Sequence, residues 1–162
     1  MPDAACATEL PTVRRLREKL DESPAAEHFY VTLLGLSTWD AAGLHERVQD
    51  GLSYAALERL RRVLDIPIAR FTELIWIAPR TIARRKETGR LRPDESDRLL
   101  RLARITGLAI QLFQGDLEQA RRWLLSGQPA LGGESPVRLA RTEVGAREVE
   151  HLIGRLEHGI PL

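Results

Sequence analysis

Residues 66–92 read IPIARFTELIWIAPRTIARRKETGRLR. Pro67 and Pro79 each offer a preset φ where the first turn of a helix wants one. In the first segment Ile68, Phe71, Leu74 and Ile75 recur at three- and four-residue spacing, which is the signature of one packed helix face. In the second, Ile82 and Ala83 are expected to face inward and Arg80, Thr81, Arg84, Arg85 and Lys86 outward, with Gly89 as the stop. Two short helices joined through IAPR have helix-turn-helix proportions. The turn lacks the usual glycine and has Ala78-Pro79 in its place.

The same stretch concentrates charge. From residue 80 to 92, Arg80, Arg84, Arg85, Lys86, Arg90 and Arg92 face a single acid, Glu87, in a chain of 162 residues whose formal net charge is only +1. A globally basic coat for nucleic acid is excluded, so any DNA contact must come from a local patch. Arginines at the start of a recognition helix can pair with guanine, threonine can reach a base or a phosphate, and flanking cations neutralise phosphates. Arg80, Thr81, Arg84, Arg85, Lys86 and Arg90 are therefore the candidate DNA-binding residues. The plainer alternative is a solvated charged face.

Working outward, the helical pattern is almost unbroken from Gly51. Ser53 is placed to cap YAALERLRRVLD, with Ala56, Leu57, Leu60, Val63 and Leu64 as its stripe. Pro93 opens a longer helix through Leu99, Leu102, Ile105, Ala109, Leu112 and Phe113, which Gly115 ends. Asp116 with Gln119 makes a capping box for DLEQARRWLLS. Ser135-Pro136 starts a short helix, and Thr142 caps a last one carrying Val144, Val149, Leu152, Ile153 and Leu156 inward. No alternating strand pattern competes, so the expected fold class is all-α. Residues 1–27 read as a flexible arm and HFYVTLLGL as a short helix or a packed extended segment. The expected division is the arm, a helical helix-turn-helix region at 28–112 and a C-terminal unit at 113–162.

Hydrophobic residues make up 43% of the chain and charged residues 29%, enough for a folded core. Cys6 is the only cysteine, which excludes an internal disulfide and suits a reducing compartment. There is no apolar run near the ~20 residues a bilayer span needs, and MPDAACATELP lacks a signal peptide's features. A soluble cytoplasmic protein with no membrane contact is expected.

Catalytic groups are thin. His28, His45, His151 and His158 are scattered, and no carboxylate pair of metal-ligand spacing accompanies the last two. Gly132-Gly133 has neither the preceding strand nor the following lysine of a phosphate loop, and Ser135 sits in GGESP, outside a nucleophile elbow. The expectation is no enzyme, no cofactor and no metal. Trp123 beside PALGG suits either a docking surface or the completion of a core, and physical reasoning leaves the two even.

The stretches TIARRKETGRLRPDESDRLLRLARI and FQGDLEQARRWLLSGQPALGGESPVRLARTEVGAREVEHLIGRLEHG closely resemble the Xre/ParS-type antitoxins, partners of toxins with a RES domain. The resemblance runs from about Leu52 to Gly159. It rests on RRK followed by Gly-Arg-Leu and ESDRL, on A-x-x-WL with P-x-x-LGG-x-SP, and on T-x-x-G. It implies an Xre-like helix-turn-helix domain followed by a small helical toxin-binding domain. It further implies a homodimer or larger assembly, binding to operator DNA of its own operon, and occlusion of an NAD-targeting toxin's active site. Trp123, Leu124, Pro129, Leu131, Gly132, Gly133, Ser135, Pro136, Thr142 and Gly145 match the domain's motif, and His158 and Gly159 lie in the terminal segment that approaches the toxin. Ala78 departs from the polar N-cap common in relatives, and the ending GIPL has no counterpart to copy. A stand-alone Xre-type regulator whose tail only dimerises is the alternative.

Overall fold

The computed structural model of the chain describes residues 29–37 and 40–160. The arm expected at 1–27, Cys6 and His28 lie outside these. In chain order the helices are α1 (Phe29–Leu33), α2 (Ala41–Asp50), α3 (Tyr54–Leu64), α4 (Ile68–Leu74), α5 (Pro79–Thr88), α6 (Pro93–Leu112) and α7 (Leu117–Leu125). A 3-10 turn at Pro129–Leu131 precedes α8 (Pro136–Leu139) and α9 (Glu143–Glu157). Among the described residues there is no strand. One antiparallel bridge joins Ser53 to Arg90.

Most helix boundaries have the causes that sequence chemistry offers. The side chains of Ser53, Asp116 and Thr142 accept from the backbone N–H of Ala56, Gln119 and Gly145. Gln119 Nε2 donates to the Asp116 carboxylate at 2.9 Å and does not reach back to the cap backbone, so the capping box is only half formed. Gly89 ends α5 in a left-handed conformation. α1 resolves the ambiguity at HFYVTLLGL in favour of a short helix. α2 was not expected; its signal is Asp40, which caps it through Gly43 N–H, with Leu44 and Val48 one turn apart as its buried pair.

A single apolar core runs through the chain. α6 is its axis, with Leu99, Leu102, Ala103, Ile105, Ala109 and Ile110 fully buried, and residues from Phe29 to Ile153 join the same cluster. Gly107 lets α1 approach, since a Cβ there would lie 3.1 Å from Tyr30 Cβ. Three large hydrophobic residues expected in the core point elsewhere, one of them Leu156, which is exposed in the last turn of α9. Val144 is 76% exposed because helical phase places it with the exposed Glu148 and His151, on the side of α9 away from the buried Ala146, Val149 and Ile153. Ile68 is 37% exposed at the start of α4, where Phe71, Leu74 and Ile75 supply the packing.

Arginines fasten α7 and α9 onto the rest of the fold. Arg121 of α7 donates to carbonyls in the last turn of α3, at 2.6 Å to Val63 O and at 3.2 Å to Arg62 O, which also accepts from Asp65 N–H. Arg101 of α6 donates to Arg141 O and to Glu143, and Arg104 adds ion pairs to Glu143 and Glu150 of α9.

Candidate functional site

α4 and α5 form the expected pair, but the strained residue of the turn is Trp76. Its φ of +50° is left-handed, a conformation in which a bulky side chain is an outlier. Ala78, by contrast, is extended and caps α5 without a side-chain hydrogen bond. The Trp76 indole is 55% exposed. Arg141, between α8 and α9, sets its guanidinium 5.7 Å from the ring centroid and donates to Glu73 O at 2.8 Å. The turn is thus gripped from the C-terminal part of the chain, a contact invisible in local sequence.

On α5 the inward face is Ile82 and Arg85. Arg85 was expected to point outward. It is buried, and its Nε and Nη2 donate to the two carboxylate oxygens of Glu95 at 2.7 and 3.0 Å. Glu95 also accepts from the backbone N–H of Arg92 at 2.8 Å. Burial pushes the Glu95 carboxyl up, but the bonds from Arg85 and Arg92 with the Arg85 charge outweigh it and hold the group below its ordinary value. Arg85 is therefore committed inside the protein and is not offered to a phosphate. Ala83, expected inward, is exposed. Arg80, Arg84 and Lys86 are exposed without a partner among the described residues, and Thr81 is half-buried. Arg90 is exposed but donates to Asp50 O at 3.2 Å.

The second group of candidate residues sits at the other end of the core. After α7 the chain folds back on Gln128. Its backbone carbonyl accepts from Leu131 and Gly133, its N–H donates to Glu134 O, and its Nε2 donates to Trp123 O at 2.9 Å. Gly132 and Gly133 are both left-handed, and Cβ atoms there would meet nothing. Gly127 explains the tight closure, because a Cβ on it would lie 2.3 Å from Gly133 O.

The structure separates builders from exposed positions. Leu124, Pro136 and Gly145 are buried. A Cβ on Gly145 would sit 2.1 Å from Leu139 O, so T-x-x-G pairs a cap with a close approach. Pro129, Gly132, Gly133, His158 and Gly159 are exposed, as is Thr142, although its hydroxyl caps α9. Trp123, Leu131 and Ser135 are half-buried. Trp123 packs on Phe113 with ring centroids 6.3 Å apart. With Gln119, Arg122, Ser126 and Gln128 the two rings line a shallow groove of about 320 Å³.

Two family comparisons align with these two regions. Residues 43–104 match the antitoxin Xre-like helix-turn-helix domain, and residues 108–159 match the antitoxin Xre/MbcA/ParS C-terminal toxin-binding domain. Antitoxin Xre of Yersinia enterocolitica is 36% identical over 128 residues, 78% of this chain and 86% of the relative. The chain belongs to the Xre antitoxin family. Antitoxin Xre of Photorhabdus laumondii is 30% identical over the same coverage, and that of Pseudomonas putida is 33% identical over 121 residues, 74% of either chain. In this Xre-type antitoxin the two domains meet inside α6, so one uninterrupted helix and one core serve both. Among the described residues no group of three or more His, Cys, Asp or Glu is placed to hold a metal ion, and no helix is long and apolar enough to cross a membrane.

The residues that the sequence reading missed are Trp76, Glu95, Gln128 and Arg141. Trp76 acts through backbone conformation, Glu95 and Arg141 through contacts ten or more residues away, and Gln128 through hydrogen bonds that close a turn with Trp123, Leu131, Gly133 and Glu134. The capping geometry at Glu95, three residues after Arg92, was a local signal.

Proposed function

We propose that the chain is the antitoxin of a type II toxin-antitoxin pair that binds a RES-domain, NAD-targeting toxin and covers its active site. It also represses its own operon by binding operator DNA through α5 as a homodimer. The observation carrying this reading is that the toxin-binding match covers a surface whose motif residues divide into buried builders and an exposed, internally braced turn at 128–134. A turn fixed by its own hydrogen bonds loses little conformational entropy on docking. The DNA arm rests on Arg80, Arg84 and Lys86, three exposed cations with no partner among the described residues, on the second helix of a helix-turn-helix.

The test is co-expression of the full chain with the RES-domain toxin of its own operon. The expected result is restored growth, a co-purifying complex and arrested NAD consumption by the toxin. A toxin that stays active and unbound beside the folded chain would overturn the reading, and operator binding without any complex would favour the stand-alone regulator. Cutting the chain after Gly115 is a poor substitute, because it removes Ala120, Leu124, Val137, Val149 and Ile153 from the shared core.

A further inference from the structure

α5 advances by about 100° per residue, so Arg80, Ala83, Arg84 and Glu87 fall within about one third of its circumference. All four are exposed, and the buried Ile82 and Arg85 lie on the opposite side. Lys86 and the half-buried Thr81 flank the arc. The side presented to DNA thus holds two arginines, one methyl group and one carboxylate. That carboxylate is the anomaly. Arg84, Lys86 and Arg90 are all within three residues of it, yet Glu87 forms no ion pair or hydrogen bond with any described residue.

An unneutralised acid on a surface that meets a polyanion weakens every contact with phosphate. It gains only where a base edge offers it a donor, and in the major groove the donor that a carboxylate reads is the N4 amino group of cytosine. We propose that Glu87 is a specificity-determining residue that accepts a hydrogen bond from cytosine N4 and penalises binding elsewhere. This inference rests on the reading of α5 as the DNA-contacting helix. Arg84 and Glu87, three residues apart, are neighbours on the helix surface. Arg84 therefore donates to a guanine one base-pair step from the cytosine, or to the guanine paired with it. The rotation that presents this arc is set by Arg85, whose fork to Glu95 anchors the far side of the helix.

The test selects binding sites from randomised duplexes with the full-length wild type, Glu87→Ala and Glu87→Gln, and measures affinity for a random-sequence duplex alongside. The position is exposed, so the variants are expected to fold, which a melt verifies. The wild type should require cytosine at one position of each half-site. Glu87→Ala should lose about tenfold or more of that discrimination and bind the random duplex several-fold more tightly. Glu87→Gln should move the preference toward adenine, the base that a glutamine amide reads. Base preferences that are unchanged at every position in both variants would overturn the role of Glu87 while leaving α5 as the DNA helix. A wild type that selects no sequence at all would overturn both.

Discussion

Arg85 and Glu95 form a two-bonded ion pair between α5 and α6, with side chains 10% and 5% exposed. The pair ties the back of α5, the helix proposed to face DNA, to the start of the axial helix. Breaking a buried pair leaves the surviving charge desolvated, and that costs about 3–5 kcal/mol. Arg85→Ala and Glu95→Gln are each expected to lose stability of that order in urea denaturation. Arg85→Met with Glu95→Leu should recover most of the loss, because no charge is then left stranded. A Met/Leu double variant no more stable than either single variant would show that a stranded charge is not the cause of the loss.

Acid should weaken the fold through the same group. The folded-state pKa of Glu95 lies below its ordinary value, so the unfolded chain binds more protons around that value and stability rises with pH there. The contribution is complete above the unfolded value of about 4.3 and is lost as pH falls through the lower folded value. Glu143 adds to the same window. Burial pushes it up, but Arg104 and the hydrogen bonds from Arg101 and Arg104 bring it below its ordinary value, and its exposure makes the effect the smaller of the two. Denaturation midpoints measured from pH 6 to pH 3 should fall, and less steeply in Glu95→Gln than in the wild type.

The sequence exposed this fold wherever local chemistry and periodicity agree. Ser53, Thr142 and Gly89 act at the ends where caps and stops are expected, and Leu99 to Ile110 face the core as their spacing says. It was opaque where the deciding partner is remote. Charge alone put Arg85 outside, since only Glu95, placed opposite by the turn at 89–92, repays burying it. The glycine missing from the helix-turn-helix turn was sought at Ala78, whereas a tryptophan bears the left-handed conformation two residues earlier. For the C-terminal motif the residues themselves were legible. Their sorting into builders and exposed positions was not, because a buried glycine such as Gly145 and an open one such as Gly132 look alike in a string.

Alanine substitutions separate three kinds of glycine. Gly154→Ala, in mid-helix with open space at its Cβ, should stabilise the protein by about 0.5–1 kcal/mol. Gly132→Ala also meets nothing, but its φ of +67° should cost about 1–2 kcal/mol. Gly145→Ala drives its methyl into the Leu139 carbonyl and should cost about 2 kcal/mol or more, as overpacking against backbone does. Thermal melts of the three variants should rank in that order.

Trp76 offers a test of strain against contact. Trp76→Ala removes the indole and its Arg141 partner but keeps a Cβ at φ +50°, whereas Trp76→Gly also relieves the backbone. The glycine variant should therefore be the more stable of the two by about 1 kcal/mol. It should lie near the wild type, since the lost cation–π contact at an exposed site is worth about 0.5–1 kcal/mol. An alanine variant equal to or above the glycine one in denaturant midpoint would mean that the turn does not hold a left-handed residue there.

At the C-terminal surface, contact and construction can be separated with two substitutions. Pro129 is exposed at the first position of the 3-10 turn, so Pro129→Arg leaves the core intact and places bulk and charge where the proposed toxin docks. Leu124 is fully buried, and Leu124→Ala should cost about 2–5 kcal/mol through the cavity it leaves. Titration of each variant with the toxin, beside its melting curve, is the measurement. Pro129→Arg should weaken the complex about tenfold or more at unchanged stability, while Leu124→Ala should lose affinity only in step with lost folding. Undiminished affinity in Pro129→Arg would remove the 129–133 turn from the interface and leave the shallow groove of Phe113 and Trp123 as the surface to mutate next.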